Sequence, residues 1–576
     1  MMDVLKGIAA SPGIALGTIF RYERVQFSVD TSPPTQVDKE ISAIEAAIES
    51  ARTELSTMAT TMETQGRADD AQILYIQLEF LEDPSFGDEI VSKVKDGSTR
   101  AVHAVTLVRD ELVEEFSQIE DEYFRDRMTD IKDLAHRLLG ILTGQRGLSL
   151  DTIDEPCIIL ADDLTPSDTV LLNPEKALAL CTELGSATSH TAILSRSLGI
   201  PAVVGVGKTS LSTGTQIILD ALTGKVLVDP SDQTIEEYRE LQSQYLERKE
   251  RLLETAHEPA VTKDGKEIEI AANIGTLSDA RQAVANGADG VGLLRTEFLF
   301  LERKDLPSEE EQYNQYRDIA QTLGTRPLVV RTLDVGGDKQ LPMVELPTEQ
   351  NPFLGQRAIR LAMAHPEKLL YPQLRALLRA AEGKELRIMF PMVSKVQEFL
   401  ALRSIVNTLI EDLQKAGIPH NPKPQVGIMI EIPSAAVTAD LFAPHVDFFS
   451  IGTNDLTQYV LAVDRTNETI ASLADYFDPA VIRLIDQVIR AGHSQGKWVG
   501  MCGEMAGDSL ALPILLALGL DEFSMAPISV PDIKDRVRNS NYGELTRQRG
   551  DVLAAESAEE LRSFAHHLNK SMGIVV

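Results

Sequence analysis

The chain is 576 residues long, with 25% charged and 43% apolar residues; this balance excludes a disordered polymer, and the length excludes a single core. Roughly three or four domains are expected. Its 55 basic against 87 acidic residues leave a formal net charge of −32, which argues against binding to a nucleic-acid backbone because that needs a basic footprint.

An anionic substrate must therefore meet a local basic pocket, and a protein partner is expected to be neutral or basic. Cys157, Cys181 and Cys502 are scattered without metal-ligand spacing and imply a reducing compartment. Pro12 and Gly13 interrupt the start too early for a secretory apolar region, and no apolar run approaches the ~20 residues that cross a bilayer. A cytoplasmic location is expected.

Residues 1–21 read as strands around a Ser-Pro-Gly corner, part of a sheet completed much later in the chain. From 22 to 145 the pattern is helical. Val37, Ile41, Ile44, Ile48, Leu55, Met58 and Met62 recur at three-, four- or seven-residue spacing. AVHAVTLVRDELVEEF and DIKDLAHRLLGIL follow with little glycine or proline, so the stretch predicts a helical insert. Its acidic cluster, Glu114, Glu115, Glu120, Asp121 and Glu122, reads from charge alone as a solvated helix face.

Short β-type runs return over 146–230: CIILADD, ALALCTEL, AVVGV, TQIILD and KVLVD. Among them lies GSATSHTAILSRSLGIPAVVG, residues 185–205. Thr188 and Ser189 are good helix caps, Ile193, Leu194 and Leu198 keep helical spacing, and Gly199 with Pro201 stops the helix. His190 then falls in the first turn, where free N–H groups and the helix dipole suit a phosphate carried on the imidazole. Thr169, in the loop DLTPSDT, either bonds that imidazole or caps a helix. Residues 231–260 form a charged helical linker without a broad apolar face, expected to bridge domains rather than sit in a core.

From 261 to 576, eight apolar runs alternate with helical stretches: EIEIAANIG, GVGLLRTEF, LVVRTLDVGG, LRIMFPMV, VGIMIEIP, VDFFSIGTND, WVGMCGE and DEFSMAP. Eight is the count of a (β/α)8 TIM barrel, whose site lies at the carboxyl ends of the strands. Arg295 follows the second run, Arg331 closes the third and Glu431 the fifth; Asn454 and Asp455 follow the sixth, and Cys502 closes the seventh. A rim of cations, carboxylates and a thiol suits a small anion with a divalent metal. The predicted fold is thus multidomain α/β: a sheet domain with an inserted helical bundle, followed by a barrel.

The stretch around His190 resembles the phosphohistidine segment of phosphoenolpyruvate-utilising enzymes. GLLRTEFLF, VVRTLDVGGDK, NPFLGQRAIR, IEIPSAA, FFSIGTNDLTQYVLAVDR and GMCGEMAGD resemble, in order and spacing, motifs of the enzyme I family of the bacterial sugar phosphotransferase system. The resemblance implies transfer of the phosphoryl group of phosphoenolpyruvate to His190 and on to a histidine of the phosphocarrier HPr, with release of pyruvate. It implies that Arg295, Arg331, Arg465, Asn454 and the backbone at Asp455 bind phosphoenolpyruvate, and that Glu431 and Asp455 hold Mg²⁺. Arg357 and Lys339 are weaker additions.

Cys502 is expected to protonate the enolate, with a thiol pKa near the ordinary ~8.5. The resemblance also implies that 1–21 with 146–230 is a swivelling phosphohistidine domain, that 22–145 docks the carrier, and that 261–576 forms a homodimer. Ala187 stands where the family commonly carries Arg, so any help from that Arg is absent or supplied elsewhere. A related dikinase or synthase would need an ATP-binding domain, for which the insert is too short and lacks a Gly-rich loop. A phosphoenolpyruvate-sensing regulatory relay would be expected to carry a sensory domain.

Overall fold

A computed structural model describes residues 3–571 apart from 26, 65–67, 96–98, 118–121, 146–149, 151–152, 166–167, 169–171, 174, 187–188, 301–302, 304, 337–348, 466 and 468. The chain divides into two compact units, Met1–Arg248 and Lys249–Val576.

The first unit is built on an eight-stranded sheet of β1 (Asp3–Lys6), β2 (Ile8–Ser11), β3 (Ile14–Tyr22), β4 (Cys157–Ala161), β5 (Ala177–Thr182), β6 (Ala202–Val204), β7 (Gln216–Asp220) and β8 (Lys225–Val228). Its spatial order is β1-β8-β7-β3-β4-β5-β6-β2, so the first strands are completed by the last ones, as the sequence predicts. Strands β3 to β6 run parallel, and β2 closes one edge antiparallel to β6. The Ser-Pro-Gly corner separates β2 from β3. Gly13 has φ 149°, and a Cβ there would lie 2.6 Å from the ring of Pro201.

The β-type runs are apolar throughout because both faces of the sheet are covered. Ile159 and Leu180 pack with Val204 on one face, while Ile158, Ala179 and Val203 pack with Ile217 on the other. Between β3 and β4 the described residues form a bundle of the α-helices α1 (Val37–Thr64), α2 (Ala68–Glu82), α3 (Glu89–Lys95), α4 (Ala101–Ser117) and α5 (Glu122–Thr143). The buried stripe of α1 is Ile44, Ala47, Ala51, Leu55, Ala59 and Met62, flanked by half-buried Ile41, Ile48 and Met58. A pattern of large residues finds the flanks but misses the alanines, which let neighbouring helices approach. Each fully buried Leu or Ile here contributes roughly 1.5–3 kcal/mol.

α6 (His190–Leu198) follows β5, and α7 (Asp232–Glu254) follows β8. The expectation that α7 stays out of a core needs correction at its N-terminal end. Its first turns pack on the sheet: Ile235 is buried and Tyr238 half-buried against Ile14, Ile218 and Leu227. Gln242 Nε2 also donates to Ile14 O at 2.7 Å. Three apolar or amide side chains at three- and four-residue spacing suffice for this seam, too narrow to register as an amphipathic face.

The second unit is a closed parallel barrel of β9 (Glu269–Ile274), β10 (Val291–Arg295), β11 (Leu328–Arg331), β12 (Leu386–Phe390), β13 (Gln425–Ile430), β14 (Phe448–Ile451), β15 (Trp498–Met501) and β16 (Glu522–Met525). All eight predicted runs are barrel strands. Leu293, Val329, Met389, Met429 and Phe448 fill the interior beneath Cys502, and Phe448 stacks on Trp498 at 4.6 Å. The filled interior leaves the strand ends as the place for polar chemistry. No described helix is long and apolar enough to cross a membrane.

Candidate active site

Because the strands are parallel, every residue at a carboxyl end opens on the same rim. Arg295 is the last residue of β10 and Arg331 the last of β11. Glu431 follows β13 directly, and Cys502 follows β15. Asn454 and Asp455 lie in the first turn of the helix Thr453–Leu461 after β14, and Arg465 lies just beyond that helix. Lys339 lies outside the described residues. The rim thus gathers all the residues that the sequence placed on it and that can be described.

The buried layer is a chain of ion pairs. Arg331 Nη2 donates to Glu297 Oε1 at 2.9 Å, and its Nη1 lies 3.1 Å from Asp334 Oδ2. Arg357 Nη2 donates to Asp334 Oδ1 at 3.0 Å, while its Nη1 donates to Tyr459 OH at 3.2 Å. Burial alone would lower the pKa of both guanidiniums, yet these carboxylates hold it above the usual value. Desolvating such charges costs several kcal/mol each, so the pairs fix geometry more than they stabilise the fold.

Arg295 differs. Among the described residues its side chain has no hydrogen bond or ion pair, and its pKa is pushed down, first by desolvation among the crowded rim side chains and next by neighbouring Arg331. A guanidinium held beside another cation without a carboxylate of its own is half of an anion site.

Asp455 and Glu431 are the acids of the rim. Asp455 Oδ1 is buried without a hydrogen bond among the described residues; Arg357 Nη1 at 3.6 Å and Arg465 Nη2 at 3.5 Å are too far for good ones. Glu431 is buried, and burial first, then Asp455 and Asp334, push its carboxyl up to about 8. Its Oε1 accepts the N–H of Met392 at 2.5 Å, from a backbone held at φ 56°. A non-glycine residue in the left-handed region is strained, and here the strain aims an N–H at the carboxylate. Asn454 and Glu504 bond reciprocally: Asn454 Nδ2 donates to Glu504 Oε1 at 3.1 Å, and Glu504 N donates to Asn454 Oδ1 at 3.0 Å.

The Cys502 thiol does not have the ordinary pKa expected of it. It is buried at the top of the apolar interior, and burial pushes it up to about 12. Asn273 Nδ2 donates to Cys502 O at 3.0 Å, fixing the backbone that carries the thiol.

In the first unit His190 opens α6, as the sequence predicts. Ser189 is the N-cap, but its side chain makes no capping bond, contrary to expectation; its Oγ is buried without a hydrogen bond among the described residues. Gly199 ends the helix at φ 67°, with Ile200 N donating to Ser195 O at 2.9 Å. Thr191 Oγ1 lies 3.2 Å from Asp163 Oδ1 and 3.3 Å from Leu164 O, tying the helix to the loop after β4. Thr169, Ala187 and Thr188 lie outside the described residues. In the bundle, Glu114 and Glu115 lie on α4, and Glu120 and Asp121 lie outside the described residues.

Three family models match along the chain: PEP-utilising enzyme, N-terminal, over 6–127; PEP-utilising enzyme, mobile domain, over 153–224; and PEP-utilising enzyme, PEP-binding domain, over 249–542. The phosphoenolpyruvate-protein phosphotransferase of Priestia megaterium is 43% identical, over 98% of this chain and 99% of its own. The chain belongs to the phosphoenolpyruvate-protein phosphotransferases. Relatives of that name from Staphylococcus carnosus (42%, over 99% of this chain and 100% of its own) and Haemophilus influenzae (43%, over 97% and 98%) are similar along their whole lengths.

Sequence reasoning missed the supports of this phosphotransferase rim. Glu297 and Asp334 sit two and three residues beyond the strand-end arginines, within TEF and LDVGG, where their only signal was that spacing. Arg357, ranked as a weak addition, is the hub that joins Asp334, Asp455 and Tyr459.

Proposed function

We propose that this phosphotransferase passes the phosphoryl group of phosphoenolpyruvate to His190 and then to a histidine of a small phosphocarrier protein of the HPr kind, releasing pyruvate at the first step of phosphotransferase-system sugar uptake. The observation that carries the reading is Arg295, an uncommitted guanidinium on the barrel rim beside Arg331, opposite a buried carboxylate pair.

Arg295, Arg331 and Arg465 would pair with the phosphate and carboxylate oxygens of the substrate. Asn454 and the N–H of Asp455, in the first turn of its helix, would add donors. Glu431 and Asp455 fit Mg²⁺, which takes few protein carboxylates; bound there, it would offset charge on phosphate and enolate oxygens. A neutral His190 nitrogen attacks phosphorus as the bridging P–O bond breaks, and the enolate left behind takes a proton at carbon from the Cys502 thiol. The thiolate regains its proton from water.

The bundle, 22–145, is the carrier-docking part in this reading, 1–21 with 146–230 the phosphohistidine domain, 231–260 the linker and 261–576 the barrel and dimerisation domain. Free cysteines throughout support a cytoplasmic location.

The test uses phosphoenolpyruvate labelled in its phosphate. Label should enter the chain at His190 as an acid-labile phosphoramidate, and sustained pyruvate release should require the carrier. Label on another residue, or turnover indifferent to carrier, would refute the assignment.

The carboxylate pair makes a pH prediction. A carboxyl raised from 4.5 to about 8 in the folded chain contributes stability below its ordinary pKa and loses it as pH rises through the folded value. The metal-free protein is therefore expected to show a falling Tm across that window; Mg²⁺ added at the alkaline end, where the carboxyl is already ionised, should restore it, whereas Mg²⁺ bound near neutral pH should release a proton. A Mg²⁺ effect equal at both ends of the window would count against Glu431 as a ligand.

A further inference from the structure

The hydrogen bonds around Arg24 link the bundle to the helix that begins at His190. Arg24 follows β3. Its Nη2 lies 2.6 Å from Asp133 Oδ1 on α5 and 2.8 Å from Asp168 Oδ2, and it also bonds Thr165 Oγ1. Asp168 in turn accepts from Thr165 N at 3.0 Å and from Tyr22 OH at 2.5 Å. The same loop contacts α6: the Thr191 hydroxyl, one residue beyond His190, meets Asp163 and Leu164. One guanidinium nitrogen thus serves acceptors on the bundle and on the loop that backs the histidine helix.

The arrangement is costly to build. Asp133 is buried, and burial first pushes its carboxyl pKa up, with Arg24 opposing; its Oδ2 has no hydrogen bond among the described residues. A buried carboxylate is tolerated when a cation compensates it, and Arg24 is that cation. Apolar packing would join bundle and sheet at less cost, so the polar tie fixes one geometry between them.

We propose that Arg24 is a positioning residue for the carrier half of the reaction, holding Asp163, Leu164, Thr165 and Asp168 after β4, and with them the His190 helix, in register with the bundle. The inference rests on the functional reading above, in which the bundle docks the carrier. Transfer from phosphoenolpyruvate takes place at the barrel and makes no use of that register. Transfer to the carrier does, because the acceptor imidazole is presented from the bundle and the phosphohistidine from the sheet.

The test measures the two half-reactions separately on the full chain, with R24K, which replaces a planar fork by a point charge, and D133N, which removes the bundle's charge. Both variants should be labelled by phosphoenolpyruvate and Mg²⁺ at rates within about twofold of the unmodified chain. Transfer to the carrier should fall about 10- to 100-fold, the scale of a small misplacement of reacting groups, in kcat rather than in KM for the carrier. The double variant should be no worse than either single one, since both cut the same tie.

Equal losses in both half-reactions, no loss in either, or a loss confined to the carrier KM would overturn the proposal. If R24K does not fold, D133N decides by the same criteria. Failure of the unmodified chain to take label would overturn the functional reading, and the inference with it.

Discussion

His190→Ala is expected to abolish phosphoryl transfer, by about 10⁶-fold or to below detection, the scale of removing a nucleophile. Alanine keeps the first turn of α6 because it is the best helix former, so the variant removes the nitrogen without removing the helix. Phosphoenolpyruvate binding should survive, since the guanidiniums and carboxylates that would hold it belong to the other unit of the chain. Titration calorimetry should give a Kd close to that of the unmodified protein, while labelled phosphoenolpyruvate leaves no label on the polypeptide. A labelled variant would remove His190 from the reaction. Lost binding would mean that the barrel alone does not form the anion site.

What the sequence made legible follows from local rules. Barrel strands buried on both faces appear as unbroken apolar runs, and a polar residue that ends such a run must lie at the strand end. That logic located Arg295, Arg331, Glu431 and Cys502 without any knowledge of how the strands pair. The sheet of the first unit was legible for the same reason, although its order was not, because β2 and β6 meet across almost two hundred residues.

The rest depended on contacts that no spacing encodes. Glu297, Asp334 and Arg357 come from three separate loops and acquire their meaning only where the barrel closes. Arg24 and Asp133 are ordinary charges on the chain until the fold brings them within 2.6 Å of each other across 109 residues. The expected thiol pKa failed because it was taken from exposed cysteine, whereas the apolar floor of Leu293, Met389 and Phe448 desolvates Cys502.

That correction sharpens what Cys502→Ser should do. With its pKa at about 12, the thiol is protonated throughout the neutral range, so it is always loaded as an acid and its titration adds no break to the pH–rate profile between pH 6 and 9, to within about a unit. Such an acid is weak in the ground state. Arg331, whose charge lowers the thiol pKa, stabilises the thiolate as it forms, so that donation is helped when the enolate appears.

A serine hydroxyl holds its proton far more tightly and should slow pyruvate formation by about 10²- to 10⁴-fold, the usual range for a positioned acid. Binding of phosphoenolpyruvate should change little, because the neutral thiol adds no charge to the guanidiniums that would hold the anion. The decisive readout is stereochemical. Phosphoenolpyruvate carrying deuterium and tritium at its methylene carbon in one geometry, E or Z, should give pyruvate with a chiral methyl group from the unmodified enzyme in ordinary water, since the proton arrives from one face. From Cys502→Ser the methyl group should be racemic, because water protonates the released enolate from either side. An unchanged rate with retained chirality would make Cys502 a packing residue and assign the proton to another group on the rim.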